Sequence, residues 1–278
     1  MKITRMKLNQ LVLMAGLSLS TLFFSSCDKE NIVPVTPGTP TTGTPPANPT
    51  NPPTNNTPLP PVTQGSLVKQ FDTQVYRYDA QNRLVELSSS SQNDIGYVVE
   101  YENDKPVKLT YRNGNHLLYT YEGDKVVEAV QYTPDNKVTF RFAFEYDEDR
   151  LVKETTVTYL DSEQGHLSIK EYFYDAQDNM TDLVITWSPT NSPDDMRGPS
   201  TIKWGDYDDK PNPVPYANMF FYLPGVKLYQ NNPGFRAPGE HKERYTYTYH
   251  ASGMPKDRTL RLEEHPHLPP FTEAYIYQ

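Results

Sequence analysis

The feature that most constrains the fold of this chain is a short motif that recurs from Tyr76 onward. Its clearest copy spans Tyr76–Leu84 and reads Tyr-Arg-Tyr-Asp-Ala-Gln-Asn-Arg-Leu. Two aromatic residues at i and i+2 share one face of a β-strand. The acid that follows can accept backbone N–H bonds in a turn, and Asn, Gly or Asp tolerates a left-handed backbone. Each copy therefore predicts a β-hairpin.

Copies of this motif follow one another along the chain, some of them looser than the first. We call the second aromatic residue of each copy the anchor tyrosine, and most anchor tyrosines lie 20 to 28 residues from the next. That spacing is the length of two strands with their turns, so the repetition predicts hairpins paired edge to edge in an antiparallel meander. The anchor tyrosines are Tyr78, Tyr101, Tyr121, Tyr146, Tyr174, Tyr207, Tyr249 and Tyr277.

The strands between these turns alternate strongly. The segment Phe140–Tyr146 places four aromatic residues on one face and Arg141, Ala143 and Glu145 on the other, which is typical of a half-buried strand. We therefore predict an all-β domain over residues 66–278 with about 14 strands. The meander forms either a curved open sheet or a barrel.

The repetition breaks between Lys210 and Lys242, where proline and asparagine are frequent. This break predicts a long insertion loop that carries one short helix. Its apolar segment either plugs one end of the sheet, which we favour, or faces a ligand, since long loops on rigid sheets often bind. The possible ligand-facing residues are Tyr207, Tyr216, Phe220, Phe221 and Tyr222.

The N-terminal residues 1–26 are typical of a secretory signal, with three basic residues before an apolar run that ends at Phe24. An uncleaved membrane helix is the alternative, but the run is shorter than the roughly 20 residues that span a bilayer. The sequence Phe24-Ser-Ser-Cys27 resembles a bacterial lipobox, and Cys27 is the one cysteine of the chain. We predict lipidation at Cys27, which anchors the protein to the outer membrane, with the domain exposed at the cell surface.

Residues 27–65 form the predicted linker. Eleven prolines lie between Pro34 and Pro61, and no charged residue occurs from Asn31 to Val68. Such a segment buries too little apolar area to offset the entropy of ordering, so we predict a disordered tether.

Two sets of residues carry a resemblance to known families. The motif at Tyr76–Leu84 resembles the YD repeat of Rhs-type proteins, with Asn82 where that repeat has glycine. The segment Asp206–Pro213 is similar to a signature of Bacteroidetes surface lipoproteins, and Asp28-Lys-Glu30 resembles their export signal. The resemblance implies a porin-like sheet and no established activity.

The chain offers little sign of catalysis or of a cofactor. It contains no Gly-rich phosphate loop and no nucleophile or zinc-protease motif. His265 and His267 are too few for a metal site, which needs further ligands. Asp206, Asp208 and Asp209 could bind calcium, but turn capping is the simpler explanation of these acids. We therefore predict no catalytic residue, no metal and no cofactor.

The predicted function is that of a monomeric binding module for a glycan or a polypeptide, held on the membrane by its lipid. A formal charge of −9 argues against nucleic acid as a partner. A hydrolase of envelope or dietary glycans is one alternative, and it requires paired acids in a cleft. A membrane-associated β-barrel is another, although tyrosines that fill whole strand faces do not match the aromatic girdles of such barrels.

Overall fold

The computed structural model describes residues 67–160 and 164–278. The predicted signal, Cys27 and the predicted linker lie outside the described residues. Among the residues that are described, no helix is long and apolar enough to cross a membrane.

Sixteen antiparallel strands make up one sheet. Each strand pairs with its neighbours in sequence, and β1 pairs with β16, so the sheet closes into a barrel. The strands are β1 Val68–Phe71, β2 Gln74–Tyr78, β3 Leu84–Ser89, β4 Gly96–Glu102, β5 Lys105–Tyr111, β6 His116–Glu122, β7 Lys125–Tyr132, β8 Val138–Asp147, β9 Arg150–Leu160, β10 Gln164–Tyr174, β11 Met180–Ser188, β12 Arg197–Gly205, β13 Phe235–Pro238, β14 Glu243–Tyr249, β15 Pro255–Leu262 and β16 Phe271–Tyr277.

The predicted all-β meander of hairpins is confirmed, and the barrel is closed rather than open. The count of about 14 strands was too low. Strands β1 and β13 have four residues each and lack the motif. A strand of four residues places only two side chains on each face, too few to show a clear alternation.

The predicted short helix in the insertion is wrong. Residues 206–234 contain turns and the isolated bridges Pro211↔Asn231 and Ala217↔Tyr222. Prolines interrupt the first part of the segment, and the side chain of Asn218 accepts the N–H groups of Phe220 and Phe221, which fixes a turn. In the described part of the chain, the helical element is a single 3₁₀ turn at Pro193–Asp195.

The turn chemistry of the motif is confirmed in its first copy. The Oδ1 atom of Asp79 accepts the N–H groups of Gln81 and Arg83, both at 2.9 Å, and Asn82 has a φ of 63°. Burial acts to raise the pKa of Asp79, but the hydrogen bonds from Arg83 and Gln81 outweigh it and hold that pKa below its usual range. The aspartate therefore caps the turn as a carboxylate.

The anchor tyrosines link each hairpin to the one before it. In six hairpins the register shifts at the anchor tyrosine, as in a β-bulge. The residue opposite the bulge keeps a carbonyl that accepts the hydroxyl of the next anchor tyrosine. The donor and acceptor residues are Tyr101 to Leu84, Tyr121 to Pro106, Tyr146 to Val126, Tyr174 to Leu151, Tyr207 to Met180 and Tyr277 to Pro255.

We expect the substitution Tyr146→Phe to lower the free energy of unfolding by about 1 kcal/mol, because it leaves the carbonyl of Val126 without its donor at 2.9 Å. Urea unfolding of the two proteins measures this difference. Tyr132→Phe is the matched control, since the ring of Tyr132 stacks on His116 and the described residues give its hydroxyl no partner. Equal losses for the two variants would contradict a specific role for the anchor hydroxyl.

In three hairpins a basic residue at the start of the return strand covers the next anchor tyrosine, and we call it the cation cap. Arg83 lies 4.6 Å from the ring centre of Tyr101, and Lys105 and Lys125 lie 5.4 and 5.5 Å from the rings that follow them. Each of these three caps also pairs with an acid in the next turn, and so does Arg150, which holds the same position in the fourth hairpin. These ion pairs are Arg83–Asp104, Lys105–Asp124, Lys125–Asp149 and Arg150–Asp178.

The segment between β12 and β13, residues 206–234, fills the interior of the barrel, and we call it the plug. Phe221 is 1% exposed. Its ring lies 5.0 Å from that of Phe142 and 5.2 Å from that of Phe144 on the barrel wall. The interpretation of the apolar insertion as a plug is therefore confirmed. The buried apolar side chains of the plug are Ala217, Phe221, Leu223, Val226 and Leu228.

Wall tyrosines bind the backbone at the tip of the plug. The hydroxyl of Tyr119 donates to the carbonyl of Tyr222 at 2.7 Å and accepts the N–H of the same residue at 3.2 Å. Tyr111 donates to the carbonyl of Phe220. These bonds satisfy polar groups that the plug would otherwise bury without partners.

The outer face of the barrel carries charged side chains that alternate with the buried ones. Glu100 lies between Val99 and Tyr101 in sequence and pairs with Lys108 of the next strand at 2.8 Å. Similar cross-strand pairs occur elsewhere around the barrel. Among them are Arg77–Glu86, Arg141–Glu128, Lys153–Glu145 and Lys203–Asp182.

Candidate functional site

The plug enters and leaves the barrel through a narrow ribbon, residues 206–212 and 230–234, which we call the neck. Its two halves run antiparallel. The N–H of Asp208 donates to the carbonyl of Asn232 at 3.1 Å, and the N–H of Asn212 donates to that of Gln230 at 2.9 Å. The neck takes the place of a hairpin turn between β12 and β13.

Asn179, the residue before β11, holds one side of the neck. Its Oδ1 atom accepts the N–H groups of Gln230 at 2.9 Å and Asn231 at 2.8 Å, and its Nδ2 atom donates to the side chain of Asn231. Asn179 is 1% exposed. A single amide thus satisfies two backbone groups of the neck, which explains why an asparagine is buried here.

Asp208 holds the neck from within. Its carboxylate accepts the N–H groups of Lys210 at 2.9 Å and Asn232 at 3.1 Å, the side-chain amide of Asn232 and the hydroxyl of Tyr249. Burial, followed by the hydrogen bond to Asp208, raises the pKa of Tyr249 above its usual value, so its phenol stays a proton donor. Every oxygen of this carboxylate is already engaged.

A pocket of about 420 Å³ opens beside the neck, and we call it the neck pocket. It lies between the turn that follows β10 and the first residues after β12. Its volume falls in the range of about 300–1,000 Å³ that is usual for ligand sites. The lining residues are Asp175, Gln177, Asn179, Thr181, Gly205, Asp206, Tyr207, Asp208 and Asn231.

The neck pocket coincides with a break in the row of cation caps. In the fifth hairpin the position before the return strand is Asn179, where earlier hairpins have Arg or Lys. Asn179 turns to the neck, and the anchor tyrosine that follows, Tyr207, lines the pocket. Burial raises the pKa of Tyr207 far above its usual value, and its hydroxyl donates to the carbonyl of Met180.

Of the five residues predicted as possible ligand-facing positions, the structure places one, Tyr207, in the neck pocket. The other four lie in the plug. The hydroxyl of Tyr216 lies 3.2 Å from that of Tyr172, and the ring of Phe220 lies 5.5 Å from that of Phe140. Phe221 and Tyr222 contact the wall as described above. A ligand-facing role for these residues stays a prediction.

The sequence analysis does not predict six of the nine lining residues as site positions. These are Asp175, Gln177, Asn179, Thr181, Gly205 and Asn231. A signal was present in the sequence, because Asn179 interrupts the run of basic residues at Arg83, Lys105, Lys125 and Arg150.

The three acids of the possible calcium site each bond to a different set of partners. Asp206 pairs with Arg244, and Asp209 pairs with Lys210 at 3.1 Å. Asp208 is saturated by neck donors. In the described ranges no group of three or more His, Cys, Asp or Glu side chains is placed to hold a metal ion.

We expect Asn179→Ala to lower the free energy of unfolding by about 2 kcal/mol, since two backbone N–H groups of the neck lose their acceptor. Chemical denaturation measures the loss. The control is Gln177→Ala in the same turn, an exposed position for which we expect a change within about 0.5 kcal/mol. A loss below that level for Asn179→Ala would show that the neck does not depend on this amide.

Comparisons with known proteins agree with this fold. The chain is similar in structure to a porin-like protein from Bacteroides vulgatus ATCC 8482, with a TM-score of 0.50 over 76% of this chain and 99% of that chain, at 11% sequence identity. A porin-like protein from Bacteroides uniformis ATCC 8492 gives a TM-score of 0.49 over 74% of this chain and 89% of that chain, at 15% identity. At these identities the likeness shows the fold alone. The porin-like fold expected from the sequence is thus confirmed.

Sequence comparisons add no assignment. No protein-family model matches the chain, and no curated protein matches it.

Proposed function

We propose that the protein is a lipid-anchored binding module of the cell envelope, with a barrel that stands in water and a ligand site at the neck pocket. The observation that carries this proposal is the plug. Aromatic packing of Phe221 and hydrogen bonds to the backbone at its tip fill the interior. A barrel filled by packed side chains supports a binding role better than a conducting one.

The charged outer wall supports a location in water. A charged side chain at the midplane of a bilayer costs a membrane barrel about 2–4 kcal/mol for Arg or Lys. Pairs such as Lys108–Glu100 and Lys153–Glu145 stand on strand faces that a membrane barrel would turn to lipid. The membrane-associated alternative draws its support from the porin-like fold alone.

The N-terminal sequence supports the attachment. A lipid on Cys27, followed by the Pro/Thr-rich linker, would let the barrel stand off the outer membrane. Exposure at the cell surface is the location in which such a tether is most useful for reaching a ligand.

The chemistry of the neck pocket favours binding over hydrolysis. Glycoside hydrolysis needs two carboxyl groups that are free to give and take protons. Here Asp208 is saturated by neck donors, and Asp206 is paired with Arg244. The ligand classes that the proposal admits are polypeptides and glycans.

Binding arrays test the proposal. The protein is the chain from residue 27 onward with Cys27→Ser, which keeps it unacylated, and the arrays carry glycans and peptides. We expect specific binding that Gln177→Trp abolishes by filling the pocket, whereas Ala176→Trp, in an exposed position outside the lining, leaves it intact. Absence of binding to both arrays, or equal loss in both variants, would overturn the proposal.

A further inference from the structure

We propose that the neck pocket takes the basic side chain of a lysine or arginine from a partner polypeptide, which covers Tyr207 as the chain's own cations cover three other anchor tyrosines, Tyr101, Tyr121 and Tyr146. This inference rests on the proposed function and narrows its ligand class. The repeat builds the same environment several times, and in three copies the cation that occupies it is visible.

The occupied copies show what the environment holds. In the first, the guanidinium of Arg83 lies 4.6 Å from the ring centre of Tyr101 and 2.7 Å from the carboxylate of Asp104. In the second, the ammonium of Lys105 lies 5.4 Å from the ring centre of Tyr121 and 2.9 Å from Asp124. An aromatic face and a carboxylate thus converge on one cation in each copy.

The environment of Tyr207 contains the aromatic ring and nearby carboxylates, those of Asp175 and Asp206. At the position of the cation cap the chain has a neutral amide, Asn179. Asn179 is committed to the neck by its bonds to Gln230 and Asn231. Asp175 is among the groups that act on the Tyr207 phenol electrostatically, and it lines the same pocket. Tyr207, Asp175 and the cap position Asn179 all line the neck pocket.

The pocket keeps acceptors for such a cation. Asp175 uses Oδ1 for the N–H groups of Gln177 at 2.8 Å and Asn179 at 2.9 Å, and the described residues give its Oδ2 no donor. Arg244 contacts one oxygen of Asp206. A guanidinium or ammonium can use these oxygens together with the ring face, whereas a metal ion requires several free carboxylates and gains nothing from the ring. A neutral glycan supplies no charge to match the missing cap.

Labelled pentapeptides of the form Gly-Gly-X-Gly-Gly, with X as Arg, Lys or Gln, test the inference by fluorescence anisotropy against the unacylated chain from residue 27. We expect the Arg and Lys peptides to bind at least tenfold more tightly than the Gln peptide, and we expect added salt to lower their affinity. Gln177→Arg places a basic side chain at the pocket, so we expect it to lower the affinity for the Arg and Lys peptides at least tenfold.

Ala176→Arg adds the same charge in the same turn, outside the lining, and should change affinity less than twofold. Both positions are exposed, so both variants should keep the fold. Equal weakening by the two variants would overturn the inference, since net charge alone would then explain binding. Equal affinity for the Arg, Lys and Gln peptides would also overturn the inference. The proposed function would still stand in that case if the protein bound an array and Gln177→Trp abolished that binding.

Discussion

Phe221→Ala in the plug should lower the free energy of unfolding by about 4 kcal/mol, the largest effect that we expect from a single truncation. The ring of Phe221 is 1% exposed and contacts three others, those of Phe142, Phe144 and Tyr216. Its removal would cost the transfer energy of the ring and would leave a cavity at the centre of the barrel. The wall strands cannot close over this cavity, because their hydrogen bonds fix the circumference of the barrel.

Urea unfolding followed by tyrosine fluorescence measures the loss. Phe173→Ala is the matched control, since Phe173 lies on the outer face of β10 and is 50% exposed. We expect that control to change stability by less than about 1 kcal/mol. A loss below 1 kcal/mol for Phe221→Ala as well would show that the barrel folds without help from its plug.

Lys170→Met should lower the free energy of unfolding by about 3 kcal/mol, because it leaves the buried carboxylate of Glu154 without its cation. Glu154 on β9 is 1% exposed and accepts from Lys170 at 2.8 Å, from the hydroxyl of Tyr172 at 2.9 Å and from that of Thr156 at 3.0 Å. Tyr172 in turn contacts Tyr216 of the plug. The hydroxyl groups that remain can bond to the carboxylate but cannot neutralise it.

A double-mutant cycle tests this account. Glu154→Leu with Lys170→Met removes both charges, and we expect it to be more stable than Lys170→Met alone, since a paired removal leaves no uncompensated charge. Guanidinium chloride unfolding of the four proteins gives the coupling energy. Strictly additive losses would mean that Glu154 and Lys170 do not act as a pair.

The hairpins could be predicted from the sequence because each is determined locally. The two aromatic residues, the turn acid and the left-handed residue all lie within Tyr76–Leu84, so one short segment reports on one hairpin. Asp79 caps its turn through bonds to residues two and four positions away. Closure of the barrel is different, since it depends on the pairing of β1 with β16 across almost the whole domain. Local patterns carry no information on that contact.

The candidate site could be predicted in part. The sequence indicated Tyr207 and the apolar insertion as possible binding positions, because aromatic residues are conspicuous in a loop rich in proline. It did not show that Asn179 would clamp Asn231, since 52 residues separate them and asparagine is common in turns. Both residues line the neck pocket. Alignment of the motif copies with one another would have shown that Asn179 stands where the four earlier copies have a basic residue.

Sedimentation of the unacylated chain from residue 27, in buffer without detergent, tests the central claim most directly. A plugged barrel with a charged outer wall should remain soluble and sediment as a single species with the mass of one chain. Addition of detergent or lipid vesicles should leave that species unchanged. Aggregation that detergent prevents, together with release of a trapped dye from vesicles, would contradict the account and would assign the barrel to the membrane.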